Sequence, residues 1–202
     1  VRAREGQGDV FETINELRTV ISLKNDHLDA KTKLGNYLLL VTPPQIADAE
    51  QMVNDIFAVN PNFIEAHILK ASILSAQKRS EKEILDVLNH AISLDQNRVE
   101  SYLSLARFFM KNEKAAEAEE TIKKAISVNP NLALGYLEYG RFFDYADKAN
   151  EAEAQFKKAV ETEPKNIEAH ESLAGFYLSE RQLEKAEQAF KDLAAAQDNS
   201  PE

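Results

Sequence analysis

The chain of 202 residues contains no cysteine and no tryptophan. Without thiols there is no disulfide framework, thiolate metal site or cysteine nucleophile, and cysteine usage gives no sign of the compartment. Glycine and proline number only six each and form no low-complexity linker. No apolar run approaches the roughly 18 residues that a spanning helix needs, although hydrophobic residues make up 44% of the chain and suffice for a continuous buried layer. The mean hydropathy of -0.43 agrees with a water-facing exterior. Positive charge is in deficit, 24 Lys and Arg against 34 Asp and Glu. The resulting net charge of -10 repels phosphate backbones and argues against a nucleic-acid partner. The sequence opens at Val1 without an initiator methionine, charged n-region or apolar h-region. It is therefore expected to be a piece of a longer protein whose targeting signal lies elsewhere, with cytoplasm and periplasm both open.

What the sequence does contain is self-similarity. The pattern of Val99 to Leu132 restarts at Ala133 and again at Ile167, a period of 34 residues. In register, Tyr102, Tyr136 and His170 share position 4, and Leu105, Tyr139 and Leu173 share position 7. Small residues recur at position 8 (Ala106, Gly140, Ala174) and position 20 (Ala118, Ala152, Ala186). Ile122, Phe156 and Phe190 stand at 24; Ala125, Ala159 and Leu193 at 27; Pro130, Pro164 and Asp198 at 32. A fixed period of this size indicates an array in which each unit buries its apolar face on its neighbours. A helix with Ala or Gly at 8 and 20 admits a close neighbour, and the bulky residues fill the space around that contact.

The whole chain is expected to be one array. Residues 1–26 are a partial repeat, mainly its second helix, with Gly8-Asp9 at the expected helix-to-helix turn and an apolar stripe through Val10, Ile14, Leu17 and Ile21. Complete repeats follow at 28–63, 64–98, 99–132, 133–166 and 167–200. In the first, Thr42-Pro43-Pro44 supplies a helix stop and places proline in the first turn of the next helix. The second is the least regular, with Lys70 at position 7 and Ile84 at position 20, so any change of curvature is expected before Val99.

These addresses resemble the tetratricopeptide repeat, with a large residue at 4, Leu at 7, Gly or Ala at 8, an aromatic at 11 (Phe109, Phe143, Tyr177), Ala at 20, Phe at 24, Ala at 27 and Pro at 32. The absence of tryptophan at position 4 is the departure. The resemblance implies an all-α, right-handed superhelical solenoid of antiparallel helix pairs, first helices lining a concave groove. It further implies a non-catalytic scaffold that binds a peptide or protein surface. An alternative is the regulatory or substrate-presenting arm of a larger enzyme or of a bacterial envelope export or assembly complex, since the long array resembles those of large bacterial repeat proteins. Two branches of the family fit poorly. A chaperone-binding carboxylate clamp would need Lys and Asn where Thr32 and Asn36 stand, Asn at Leu69, and Lys and Arg at Glu100 and Ser104. An asparagine ladder would need Asn where position 6 reads Lys33, Leu69, Ser104, Glu138 and Ser172.

Residues that could carry chemistry are few. No metalloprotease, serine-hydrolase or phosphate-loop spacing occurs, so neither enzyme activity nor a cofactor or metal is expected. His67 and His170 are expected to be packing residues in the slot that Tyr102 and Tyr136 fill elsewhere, and His27 and His90 to be isolated. The family's groove-facing positions give Leu103, Arg107, Met110 and Lys111, then Leu137, Arg141, Asp144 and Tyr145. These form an expected strip for a peptide with acidic and apolar side chains, its carboxylates held by guanidinium forks. The competing reading is that both arginines pair with Glu138, Glu100 or Asp144 and only solubilise the groove. Self-association through exposed array ends is the remaining partner expectation.

Overall fold

A computed structural model describes the backbone of residues 2–198 and the side chains of residues 10–197, and it contains helices and no strands among the described residues. The chain divides into two compact units, residues 1–96 and 97–202.

The first unit holds α1 (Arg2–Leu23), α2 (Leu28–Leu40), α3 (Ile46–Val59), α4 (Ile64–Ala76) and α5 (Glu81–Leu94). Its core joins Ile14 of α1, Leu34 and Leu38 of α2, Ala49 and Val53 of α3, and Leu69 and Ile73 of α4. Gly35 at position 8 lets α4 approach closely, and a Cβ there would require the buried Leu69 side chain to shift. Two expectations fail here. The backbone stays helical through Gly8-Asp9, so no turn forms there, and residues 2–6 belong to the same helix; an interior glycine costs only about 1 kcal/mol and nothing in the segment forbids helical angles. Pro44 also lies outside α3, whose N-cap is Gln45. Start signals differ from helix to helix. Before α5, Ser80 and Glu83 form a reciprocal capping box, the Ser80 amide donating to Glu83 Oε2 at 3.1 Å and the Glu83 amide to Ser80 Oγ at 3.3 Å. The irregular residues of the second repeat are absorbed, with Ile84 buried and Lys70 extended over the Phe57 ring at 5.9 Å.

The second unit holds α6 (Val99–Lys111), α7 (Ala115–Val128), α8 (Ala133–Tyr145), α9 (Ala149–Thr162), α10 (Ile167–Ser179) and α11 (Leu183–Asp198). Each odd-numbered helix packs on the helix before it, and the first helices α6, α8 and α10 also touch in sequence. The small addresses are sealed: Ala118, Ala152, Ala125 and Ala159 have no exposed surface. A Cβ on Gly140 would lie 2.7 Å from the Phe156 ring, so position 8 of one helix is the notch for position 24 of its partner. Every inner turn from the second repeat onward closes the same way. Lys78, Glu113, Asp147 and Arg181 take positive φ of 55 to 59°, and the next amide reaches back five residues, as in Lys114 N to Phe109 O at 2.9 Å. On the outer helices Glu119 pairs with Lys123 and Glu153 with Lys157, four residues apart and each at 2.7 Å.

Candidate protein-binding face

Across α6, α8 and α10 the two arginines at position 9 are drawn into one charged ladder. Arg107 of α6 grips Glu138 of α8 with both arms of its fork, Nε to Oε2 at 2.9 Å and Nη2 to Oε1 at 2.6 Å. Arg141, three residues beyond Glu138, donates to the same carboxylate at 2.5 Å, to Glu168 of α10 at 2.8 Å and to the Ser172 hydroxyl at 3.5 Å. Glu138 is 3% exposed, while the Arg107 and Arg141 side chains remain 52% and 40% exposed. Burial pushes the Glu138 carboxyl upward, but the hydrogen bond and charge of Arg107, with the charge of Arg141, outweigh it and hold the group below the ordinary carboxylate range. Burial works in the opposite sense on Arg141, and its bonds to Glu168 and Glu138 prevail, raising it. Glu138 was legible only as a competing partner for the arginines. Its place as the buried hub was not, because nothing in a repeat alignment marks position 6 as enclosed.

The other expected strip residues divide. Lys111 and Tyr145 are exposed, Tyr145 at 71%, and Met110 is half-buried against the core of the unit. Leu103 and Leu137 do not line an open surface, each being 1% exposed. Helical spacing explains it: Val99, Leu103 and Ala106, and likewise Ala133, Leu137 and Gly140, stand at i, i+4 and i+7 on the buried stripe. Asp144 is exposed and Glu100 lies 3.6 Å from Arg98.

Position 4 has a polar duty that sequence reading missed. Tyr136 donates to the Pro130 carbonyl at 3.1 Å, and the Nε2 atoms of His67 and His170 lie 2.9 Å from the carbonyls of Pro61 and Pro164. Each ring thus fastens its helix to the carbonyl six residues earlier, at the proline of position 32, while remaining packed. His90 is not isolated, since its ring sits 4.7 Å edge-on from His67. Burial above all, with the nearby charges of His90 and Lys70, lowers the His67 ring below its ordinary value against the bond to Pro61. His27 caps α2, its Nδ1 accepting from the Ala30 amide at 3.3 Å. Among the described residues no group of three potential ligands could hold a metal ion, and no helix is long and apolar enough to cross a membrane.

Two family models described as tetratricopeptide repeat match the chain, one over residues 99–132 and one over residues 145–202. No curated protein sequence matches it. Among solved structures the fold is similar to a thermophilic TPR protein of Thermus thermophilus, with TM-score 0.65 and 16% identity over 87% of this chain and 94% of that one. It is also similar to yeast Tom70, with TM-score 0.66 and 16% identity over 95% of this chain and 40% of that one. Human IFIT1 gives TM-score 0.61 and 17% identity over 92% and 45%. At such identities the likeness is one of fold alone; the matched family models carry the further point that proteins built of tetratricopeptide repeats are generally non-catalytic scaffolds for other proteins. The matched repeats, the helix-pair architecture and the shared fold together make this chain a tetratricopeptide-repeat protein.

Proposed function

We propose that the chain is a non-catalytic interaction scaffold and that the face of α6, α8 and α10 takes a peptide or protein surface bearing acidic and apolar side chains. The observation that supports this is the ladder. Arg107 and Arg141 are fixed in place by the buried Glu138, yet both keep a large part of their guanidinium surface in solvent. Their rotamers are ordered before any partner arrives, which reduces the entropy lost on binding. Beside them lie Lys111, the polarizable Met110 and the open ring of Tyr145, a mixture suited to amphipathic segments.

The ladder also decides which residues test the idea. Replacing the arginines would strip a buried carboxylate of its partners and unfold the site along with any binding. Lys111→Glu and Tyr145→Ala leave Glu138 paired. The probe is a fluorescein-labelled peptide of alternating Glu and Leu followed by anisotropy, with a Lys-Leu counterpart reporting non-specific attraction to the acidic chain. The expected result is salt-sensitive binding of the Glu-Leu peptide, weakened about tenfold (roughly 1.4 kcal/mol) in the double variant. Unchanged affinity in that variant would show that this face is not the binding surface.

A further inference from the structure

Where α4, α8 and α10 place a ring at position 4, α2 places Lys31. The rings reach a carbonyl six residues back; for Lys31 that residue is Asn25. A flexible lysine neither fills the slot nor closes it, and a cleft of about 560 Å³ opens there, lined among others by Leu23, Asn25, Lys31, Asp55 and Val59. The Lys31 side chain is only 4% exposed, although an ammonium carries three donors. Its polar contact is a single long one, 3.5 Å to Asp55 Oδ2. Asp55 is itself held, its other oxygen accepting from Gln51 Nε2 at 2.7 Å. A nine-tenths-buried cation with so little hydrogen bonding is costly unless something else meets it. Beside it the cleft offers a part-exposed carboxylate and an apolar wall whose side chains otherwise face solvent, Leu23 at 84% and Val59 at 60% exposed.

We propose that this cleft binds a free α-amino acid with an aliphatic side chain. The ligand carboxylate meets Lys31, the ligand ammonium meets Asp55, and the side chain lies against Leu23 and Val59. The charges select the zwitterion. A simple carboxylate would bring a second anion to Asp55, and a simple amine a second cation to Lys31. Two further lining residues, Lys24 and Asp26, cancel one another and leave that balance unaltered.

The test is an amide NMR titration of the full chain with L-leucine, and separately with 4-methylpentanoate and isoamylamine, which each keep one charge. Leucine is expected to shift the amides of Asn25, Lys31, Asp55 and Val59 saturably, with each single-charge analogue at least about tenfold weaker. Lys31→Met is expected to abolish the shifts, and Asp55→Asn to erase the preference for leucine over 4-methylpentanoate. No shift with leucine, equal response to the analogues, or an unchanged response in Lys31→Met would overturn the proposal. Should Lys31→Met fail to fold, the Asp55→Asn comparison decides, and a retained preference for leucine overturns it.

Discussion

Glu138 is the residue on which the arginine ladder of the second unit depends. Its two bonds from Arg107 and one from Arg141 satisfy a carboxylate that is otherwise sealed in protein. Removing one arginine leaves the other in place, whereas removing both leaves an unpaired buried charge, for which a loss of about 3 to 5 kcal/mol is expected. Arg107→Ala with Arg141→Ala should therefore cost far more than the sum of the single changes in urea melts, and adding Glu138→Leu should recover most of the loss. If the triple variant were as unstable as the double, the arginines would be acting through packing and not through this carboxylate. The same group sets an acid limb. Because the folded carboxyl sits below its unfolded value, its contribution is fully present above the ordinary carboxylate range and fades as pH falls through it towards the folded value. The Glu138→Leu triple variant should lose that part of the pH dependence. Sequence reading reached the pairing of these residues but not its depth. Position 6 is solvent-facing or buried according to what the preceding first helix places against it, as Gly35 does for Leu69 and Arg107 for Glu138, and that is a contact between repeats. Leu103 and Leu137 were misplaced for a different reason: their i, i+4 spacing from Val99 and Ala133 already marks the buried stripe, and the family's groove positions were followed instead.

At the scale of the helix pair, the inner turns carry avoidable strain. Lys78, Glu113, Asp147 and Arg181 all stand at position 15 with positive φ, a conformation in which a side chain costs about 1 kcal/mol and glycine costs nothing. Gly substitution at Glu113 and Asp147 is expected to raise stability by roughly 0.5 to 1 kcal/mol each, additively because the turns are in different repeats. Thermal melts in which either change destabilised the chain would mean that the side chain, not the backbone, holds the turn. The turn was invisible in the sequence because the residue type that signals it is absent from all four positions. The helices themselves were plain, since period, small-residue notches and proline stops all pointed to the same pairs. Gly8-Asp9 misled for the converse reason: a turn-type dipeptide sits within a segment whose remaining residues permit helix.

For the whole molecule, an array in which each pair leans on the next should not be uniformly stable. The second unit shows the gradient at one address. Position 24 is Ile122 with no exposure, then Phe156 at 3%, then Phe190 at 46%, because the first two are covered by the following first helix and α11 is followed by none among the described residues. α8 packs against α6, α7, α9 and α10, whereas α11 packs against α10. A Phe left nearly half exposed forgoes a good part of the roughly 1.5 to 3 kcal/mol that its full burial would contribute. Native-state hydrogen exchange should therefore find the amides of α11 opening at least about tenfold faster than those of α8 and α9, a difference of roughly 1.4 kcal/mol. Phe190→Ala should then lower the protection of α10 and α11 while leaving α6 and α7 unchanged. Equal protection from α6 through α11 would instead mean that the unit opens all at once, and that the exposed Phe190 reports a local surface and not a weaker end.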